Sequence, residues 1–145
     1  MTKDRVIGKV NGLPWNIPEE YQLFLGHVRG QAVIFGRKSF EIFGPDLPDS
    51  YLFVVSRSAT ALPGARVFET VDAAIEAARA TGRTVFCAGG ATLYALTLPV
   101  ADALYLSIIK SAYEGDTYFP IFDETAWRII RREDHPEFEF RVYQR

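Results

Sequence analysis

The sequence predicts an α/β fold: a central, mainly parallel twisted sheet with an antiparallel C-terminal edge and helices on both faces. Three observations carry the prediction. Four short apolar runs, Ala32 to Phe35, Tyr51 to Val55, Thr84 to Cys87 and Ala103 to Ile109, have the length and near-continuous apolar character of buried strands. Segments of helical character separate them, the arrangement that parallel strands require. The tail departs from this alternation: Trp127 to Arg132 and Phe138 to Gln144 read as strands joined by a turn near His135-Pro136, an antiparallel pair.

Each helix has its own signals. Pro18 to Val28 opens on a proline suited to a first helical turn, followed by Glu19 and Glu20, whose charges suit the positive end of the helix dipole. Thr70 is placed as the N-cap of Val71 to Arg79; Val71, Ala74, Ile75 and Ala78 share one face, and Gly82 supplies a stop. Short helices are expected after Gly36-Arg37 and after Gly89-Gly90.

Bulk properties bound the function. A chain of 145 residues is the size of one domain, so a single domain over 1–145 is expected. Hydrophobic residues at 48% and charged residues at 23% are globular proportions. A formal charge of -2 gives no electrostatic case for nucleic acid. No apolar run approaches the ~20 residues that span a bilayer, and Met1-Thr2-Lys3-Asp4 is not a signal peptide, so a cytoplasmic protein without membrane partners is expected. The lone Cys87 can form no internal disulfide and reads as small core filler in a reducing compartment. No metal-ligand cluster is visible in the sequence.

Three segments carry chemistry. In Val33-Ile34-Phe35-Gly36-Arg37-Lys38-Ser39-Phe40 a strand ends at glycine and a helix begins. Unpaired backbone N–H groups, the Ser39 hydroxyl and two cations then meet at one anion-binding spot. In Phe86-Cys87-Ala88-Gly89-Gly90-Ala91-Thr92-Leu93-Tyr94 paired glycines permit a close backbone approach that a Cβ would block. Ser56-Arg57-Ser58 ends another buried strand, so three strand ends are available to phosphates. Neither the G-x-G-x-x-G pattern nor a Walker A loop is present. The third segment is the Gly/Asn/Pro-rich loop from Ile7 through Trp15 into the helix bearing Glu20 and Phe24. Those two residues stack on one helical face, whereas Glu19 lies about 100° away, so at most one of the glutamates faces inward. Either both are solvated first-turn acids, or Glu20 is a carboxylate in an apolar setting that can grip an amidine-like edge.

Taken in order, these residues resemble the dihydrofolate reductase family from about Asp4 to the C-terminus. The resemblance rests on Ile7-Gly8 with Leu13-Pro14-Trp15-Asn16-Ile17-Pro18, on Val33 to Phe40, on Leu47-Pro48 and on Val54-Val55-Ser56-Arg57. Gly89-Gly90-Ala91-Thr92-Leu93-Tyr94 and Glu114-Gly115-Asp116-Thr117-Tyr118-Phe119-Pro120 complete it. It implies a dihydrofolate reductase-like fold and hydride transfer from NADPH to dihydrofolate, in a monomer or homodimer. By resemblance, Glu20 is the acid that holds the pterin, Ser107 the hydroxyl that supports it, and Trp15 a tryptophan that shapes the pocket. Phe24, Phe43, Leu47 and Ala88 correspond to apolar walls around the substrate, Leu13 to the mobile loop over the nicotinamide, and Tyr94 to a residue near it. Arg37, Ser56 and Arg57 correspond to the 2′-phosphate and adenine site, and Lys38, Ser39, Ala91 and Thr92 to the pyrophosphate. Ile7, Asn11, Gly36 and the Gly89-Gly90 pair, a cis peptide in the family, complete the cofactor positions.

Two departures from the family pattern qualify this expectation. An apolar strand precedes the segment matching Asp4 in the family; here Met1-Thr2-Lys3 stands there, too short and too polar to replace it, so either the start of the chain is truncated or the sheet differs at that place. Ser50 stands where the family carries an arginine that clamps the glutamate tail of folate. A reductase of a smaller pterin or of a riboflavin-pathway pyrimidine, and a non-catalytic nucleotide-binding protein, are therefore the alternative readings.

Overall fold

The structure, a computed structural model, describes residues 1–9, 12–58 and 61–145. In chain order the elements are β1 (Val6–Gly8), α1 (Pro18–Val28), β2 (Ala32–Gly36), α2 (Arg37–Phe43), β3 (Tyr51–Val55), β4 (Arg66–Phe68), α3 (Val71–Arg79), β5 (Val85–Cys87), α4 (Ala91–Thr97), β6 (Ala103–Ile109), β7 (Thr117–Tyr118), β8 (Arg128–Asp134) and β9 (Phe138–Gln144). They divide into two compact units, Met1–Glu20 with Leu98–Arg145, and Tyr21–Thr97.

The unit Tyr21–Thr97 is built on a parallel sheet in the order β4-β3-β2-β5. Its interior strand β2 explains why Ala32 to Phe35 reads as an unbroken apolar run: all four side chains are within 1% of complete burial. Successive residues point to opposite faces. Val33 and Phe35 pack with Leu25, Val28, Leu47, Leu52 and Ala88, while Ala32 and Ile34 pack with Phe53, Ala74, Ala78 and Leu93. Both faces are therefore covered, as parallel sheets demand. Helix α3 lies close on one face because Ala74 and Ala78 present no bulk there, and its start is fixed by Thr70, whose hydroxyl accepts from the Ala73 N–H at 3.2 Å.

The unit Met1–Glu20 with Leu98–Arg145 contains an antiparallel sheet, β6-β9-β8, and a small antiparallel pair, β1-β7. Leu104, Leu106 and Ile108 are buried along β6 while Tyr105 between them is exposed, the alternation of a sheet with one covered face. Ahead of β1, Thr2 forms a parallel bridge with Ile109 and the Ile109 N–H donates to the Met1 carbonyl at 2.8 Å. Thr2 is buried, and its hydroxyl accepts from the Val6 N–H at 3.0 Å, closing a turn in which Arg5 has φ 68. The parallel sheet, the antiparallel C-terminal strands and the helices are those of the expected fold class, with the parallel and antiparallel strands hydrogen-bonded as separate groups among the described residues. The tail strand also differs, starting at Arg128 and running through Glu133 and Asp134, charged residues that read as turn but sit on an edge strand. No described helix is long and apolar enough to cross a membrane.

Candidate active site

Glu20 lies in the first turn of α1 and is half-buried. Loss of water around the carboxyl group raises its pKa above the usual carboxylate value. The Met1 ammonium, the Ser107 hydroxyl and the Trp15 indole oppose that rise without cancelling it. The result is a carboxyl group able to exchange a proton nearer neutrality than an exposed glutamate. Ser107 is presented by β6, where it is held opposite Phe140 of β9. Trp15 is 8% exposed and packs edge-on against Tyr113 with ring centroids 5.9 Å apart. Its Nε1 is close enough to the carboxylate to stabilise the ionised form, yet meets no acceptor with full hydrogen-bond geometry among the described residues. Of the two glutamates, Glu20 is the one turned to Ser107; the Glu19 carboxylate instead meets His135 Nδ1 at 2.6 Å. Glu20, Trp15 and Ser107 are thus brought together.

In the same unit, glycine sets how β1 meets the segment leading into β7. Gly8 and Gly115 lie at that junction, and the Asp116 N–H donates to the Gly8 carbonyl at 3.0 Å. A Cβ on Gly115 would come within 2.4 Å of the Gly8 carbonyl oxygen, a distance no backbone tolerates. Ile7 lies in β1 and is half-buried. Beyond it Lys9 and Gly12 pair as an isolated bridge and Leu13 is 38% exposed. Asn11 lies outside the described residues.

The second unit gathers the predicted phosphate-binding residues at one sheet end. Gly36 of β2 pairs with Val55 of β3, and the Gly36 N–H donates to the Gly89 carbonyl at 2.7 Å just beyond β5. The carboxyl ends of three neighbouring parallel strands therefore present Ser56-Arg57, Gly36-Arg37 and Gly89-Gly90 side by side, where ligands of such sheets bind. The Gly89-Gly90 peptide is cis, and Gly89 has φ +111. A Cβ at Gly89 would meet Ser39 Oγ at 3.2 Å and Tyr94 Oη at 3.3 Å, so Ser39 and Tyr94 converge on this turn. Lys38 and Ser39 occupy the first turn of α2, capped by Gly36 without a side-chain bond; Ala91 and Thr92 open α4. Arg37 is exposed and its Nε pairs with Glu41 at 3.1 Å. Backbone amides, hydroxyls and Arg37, Lys38 and Arg57 make a donor set suited to phosphate esters. Cys87, below the turn, is half-buried, and burial pushes its thiol pKa up, which suits packing better than nucleophilic chemistry.

The predicted apolar walls also meet within this unit. Phe24 of α1 and Phe43 of α2 contact edge-on at 5.5 Å, with Leu47 fully buried beneath them and Ala88 packed in the same cluster. The sequence reading missed Tyr21, which stacks on Phe24 at 6.1 Å and donates its hydroxyl to Asp46 Oδ2 at 2.5 Å. Burial and then Asp46 push its phenol pKa well above the ordinary value. Tyr21, Tyr113 and His135 carry no motif, and only the folded chain brings them to their partners. Ser50 accepts from the Gly30 N–H at 3.1 Å and donates to the Val28 carbonyl at 3.0 Å. It closes the C-terminal end of α1.

One unit offers a half-buried carboxyl group with a raised pKa, and the other a sheet end whose donors suit phosphate esters, features found in α/β enzymes that use a nucleotide cofactor. The family model for dihydrofolate reductase matches residues 1–145. Dihydrofolate reductase type A13 of Escherichia coli is 34% identical over 134 residues, 92% of this chain and 81% of its own length. Dihydrofolate reductase of Bacillus subtilis is 33% identical over 153 aligned positions, covering all of this chain and 90% of its own. The solved dihydrofolate reductase of Enterococcus faecalis, complexed with NADP(H) and RAB-propyl, superposes with a TM-score of 0.88 over 99% of this chain and 91% of its own, at 25% identity. The chain belongs to the dihydrofolate reductase family.

Proposed function

We propose that the protein is an NADPH-dependent oxidoreductase that reduces 7,8-dihydrofolate to tetrahydrofolate. The observation that carries the reading is Glu20: a half-buried carboxyl group beside Ser107 and Trp15, with its pKa raised. The relatives are dihydrofolate reductases, which adds the substrate, and the solved relative is complexed with NADP(H), which adds the cofactor. The strand ends described above fit that cofactor, since a glycine turn without Cβ leaves room for a pyrophosphate and Arg37 and Arg57 suit an additional phosphate on the ribose.

NADPH, when bound, supplies the hydride. The chain's own residues do the rest. Glu20 accepts hydrogen bonds from the ring nitrogen and amino group of the pterin, which fixes the ring's orientation. Its raised pKa brings the protonated state of the complex within reach near neutral pH, which biases the bound ring toward protonation, and the proton for the ring nitrogen that gains one during reduction comes from water. Ser107 holds the carboxyl group in place, and Trp15 shields it. Leu13, exposed on the loop ahead of Trp15, is the residue assigned to cover the reacting face and exclude water.

One observation favours a second reading. Ser50 is engaged with the backbone of α1, and it offers no cation to a substrate carboxylate. A dihydropterin without a glutamate tail would then be reduced nearly as well as dihydrofolate. Both readings are tested by following NADPH consumption with each substrate in turn. A kcat/KM for dihydrofolate at least tenfold above that for a tail-less dihydropterin supports the first reading, near-equality supports the second, and no consumption with either rejects both.

A further inference from the structure

Glu19 and Glu20 are adjacent on α1, and each is tied to a different strand of the same antiparallel sheet. Glu20 meets Ser107 on β6, while Glu19 Oε1 lies 2.6 Å from His135 Nδ1 at the end of β8. His135 is itself fixed on three sides. Its ring stacks on the fully buried Phe138 with centroids 4.3 Å apart and planes 11° from parallel. Its N–H donates to the Phe138 carbonyl at 2.9 Å, and Lys110 Nζ donates to its carbonyl at 2.6 Å while also reaching Asp134 at 2.7 Å. A carboxylate can only accept, so Nδ1 carries the proton of the contact with Glu19. The Glu19 side chain is 57% exposed, so the pair adds little to stability. What it supplies is direction: with Glu19 held outward by a rigid ring, rotation of the first turn, which would carry Glu20 away from Ser107, is opposed.

We propose that His135, acting through Glu19, is a positioning residue that sets how deeply the Glu20 carboxyl group sits beside Ser107 and Trp15. The proposal deepens the reductase reading, on which its kinetic consequence rests, but its structural content can be tested without turnover. The charged groups around the pair are Glu19 itself, Lys110 and Asp134 at the β8–β9 turn, and the Met1 ammonium beside Glu20.

The test is a carboxyl-carbon NMR titration of Glu20 in the ligand-free full chain, for the wild type, His135→Ala, Glu19→Gln and His135→Asn. Positioning predicts that both His135→Ala and Glu19→Gln lower the Glu20 midpoint by about half a pH unit, because a loosened turn lets water reach the carboxyl group. His135→Asn, whose amide nitrogen takes the place of Nδ1, restores it. With dihydrofolate, KM rises several-fold in the first two variants and not in the third. Through-space charge alone predicts that removing the Glu19 charge lowers the midpoint, whereas His135→Ala, which leaves that charge in place, does not lower it. A His135→Ala midpoint at or above the wild-type value, or a Glu19→Gln midpoint at the wild-type value, overturns the proposal. A wild type that fails to turn over dihydrofolate defeats the reductase reading and leaves the titration to decide this one.

Discussion

Glu20 illustrates a conflict between folding and chemistry within one side chain. Burial holds its pKa above the ordinary value of 4.5, so the folded state binds this proton more tightly than the unfolded chain does. The sign follows directly: the group is neutral in its preference below the ordinary pKa, and it increasingly favours unfolding as the pH rises through the shifted one. Glu20→Gln removes the penalty. The variant is expected to unfold at a higher temperature than the wild type at neutral pH, with the gap closing near pH 4, while kcat/KM for dihydrofolate falls about 10²- to 10³-fold. Thermal unfolding at the two pH values checks the first part, and steady-state kinetics the second. Helical phase alone left Glu19 or Glu20 free to face inward, and it was the family resemblance that pointed to Glu20. Ser107 and His135 settle that choice, and both lie far along the chain from α1.

Two turns hold the elements to tolerances that single methyl groups exceed. Gly89 adopts φ +111 in the β5–α4 turn, and a Cβ there would press on Ser39 Oγ and Tyr94 Oη. Gly89→Ala should leave the parallel sheet folded but weaken NADPH binding by about 1–3 kcal/mol, read by titration calorimetry. At Gly115 a Cβ would strike the Gly8 carbonyl oxygen and Val6 Cγ1, both at 2.4 Å. Backbone cannot yield as a side-chain tip does, so Gly115→Ala should separate β1 from β7 and cost about 1–3 kcal/mol in chemical denaturation. The longer elements were legible because their signals are redundant. Pro18–Val28 has a proline, two acids and an apolar face; Val71–Arg79 has a cap and a strong period; Tyr51–Val55 and Ala103–Ile109 are long enough to show burial. Strands β1, β4 and β7 have two or three residues each, too few to show any period, and their pairing is set by partners distant in sequence. The charged end of β8 was hidden for another reason, since an edge strand can carry charged residues, with Asp134 exposed and Glu133 half-buried.

In the molecule as a whole, the division of labour follows the two units. One carries the half-buried Glu20 carboxyl group, the proposed acid, on a helix start beside an antiparallel sheet; the other carries the parallel-strand ends proposed to hold phosphate. The motifs for both were readable because they consist of local residue types, Gly-Arg-Lys-Ser, Gly-Gly and Pro-Trp-Asn-Ile-Pro, whose order along the chain is itself informative. Ser50 was readable only as a missing arginine; that it ties Val28 to Gly30 emerged from the fold. The claim on which the account turns is that a desolvated Glu20 governs reduction, and the pH dependence of dihydrofolate reduction tests it most directly. The wild-type kcat/KM should fall as the pH rises through a midpoint above the ordinary glutamate value, while Glu20→Gln should be slow and lack that midpoint. A Glu20→Gln enzyme that keeps the wild-type rate and the wild-type pH profile would contradict it.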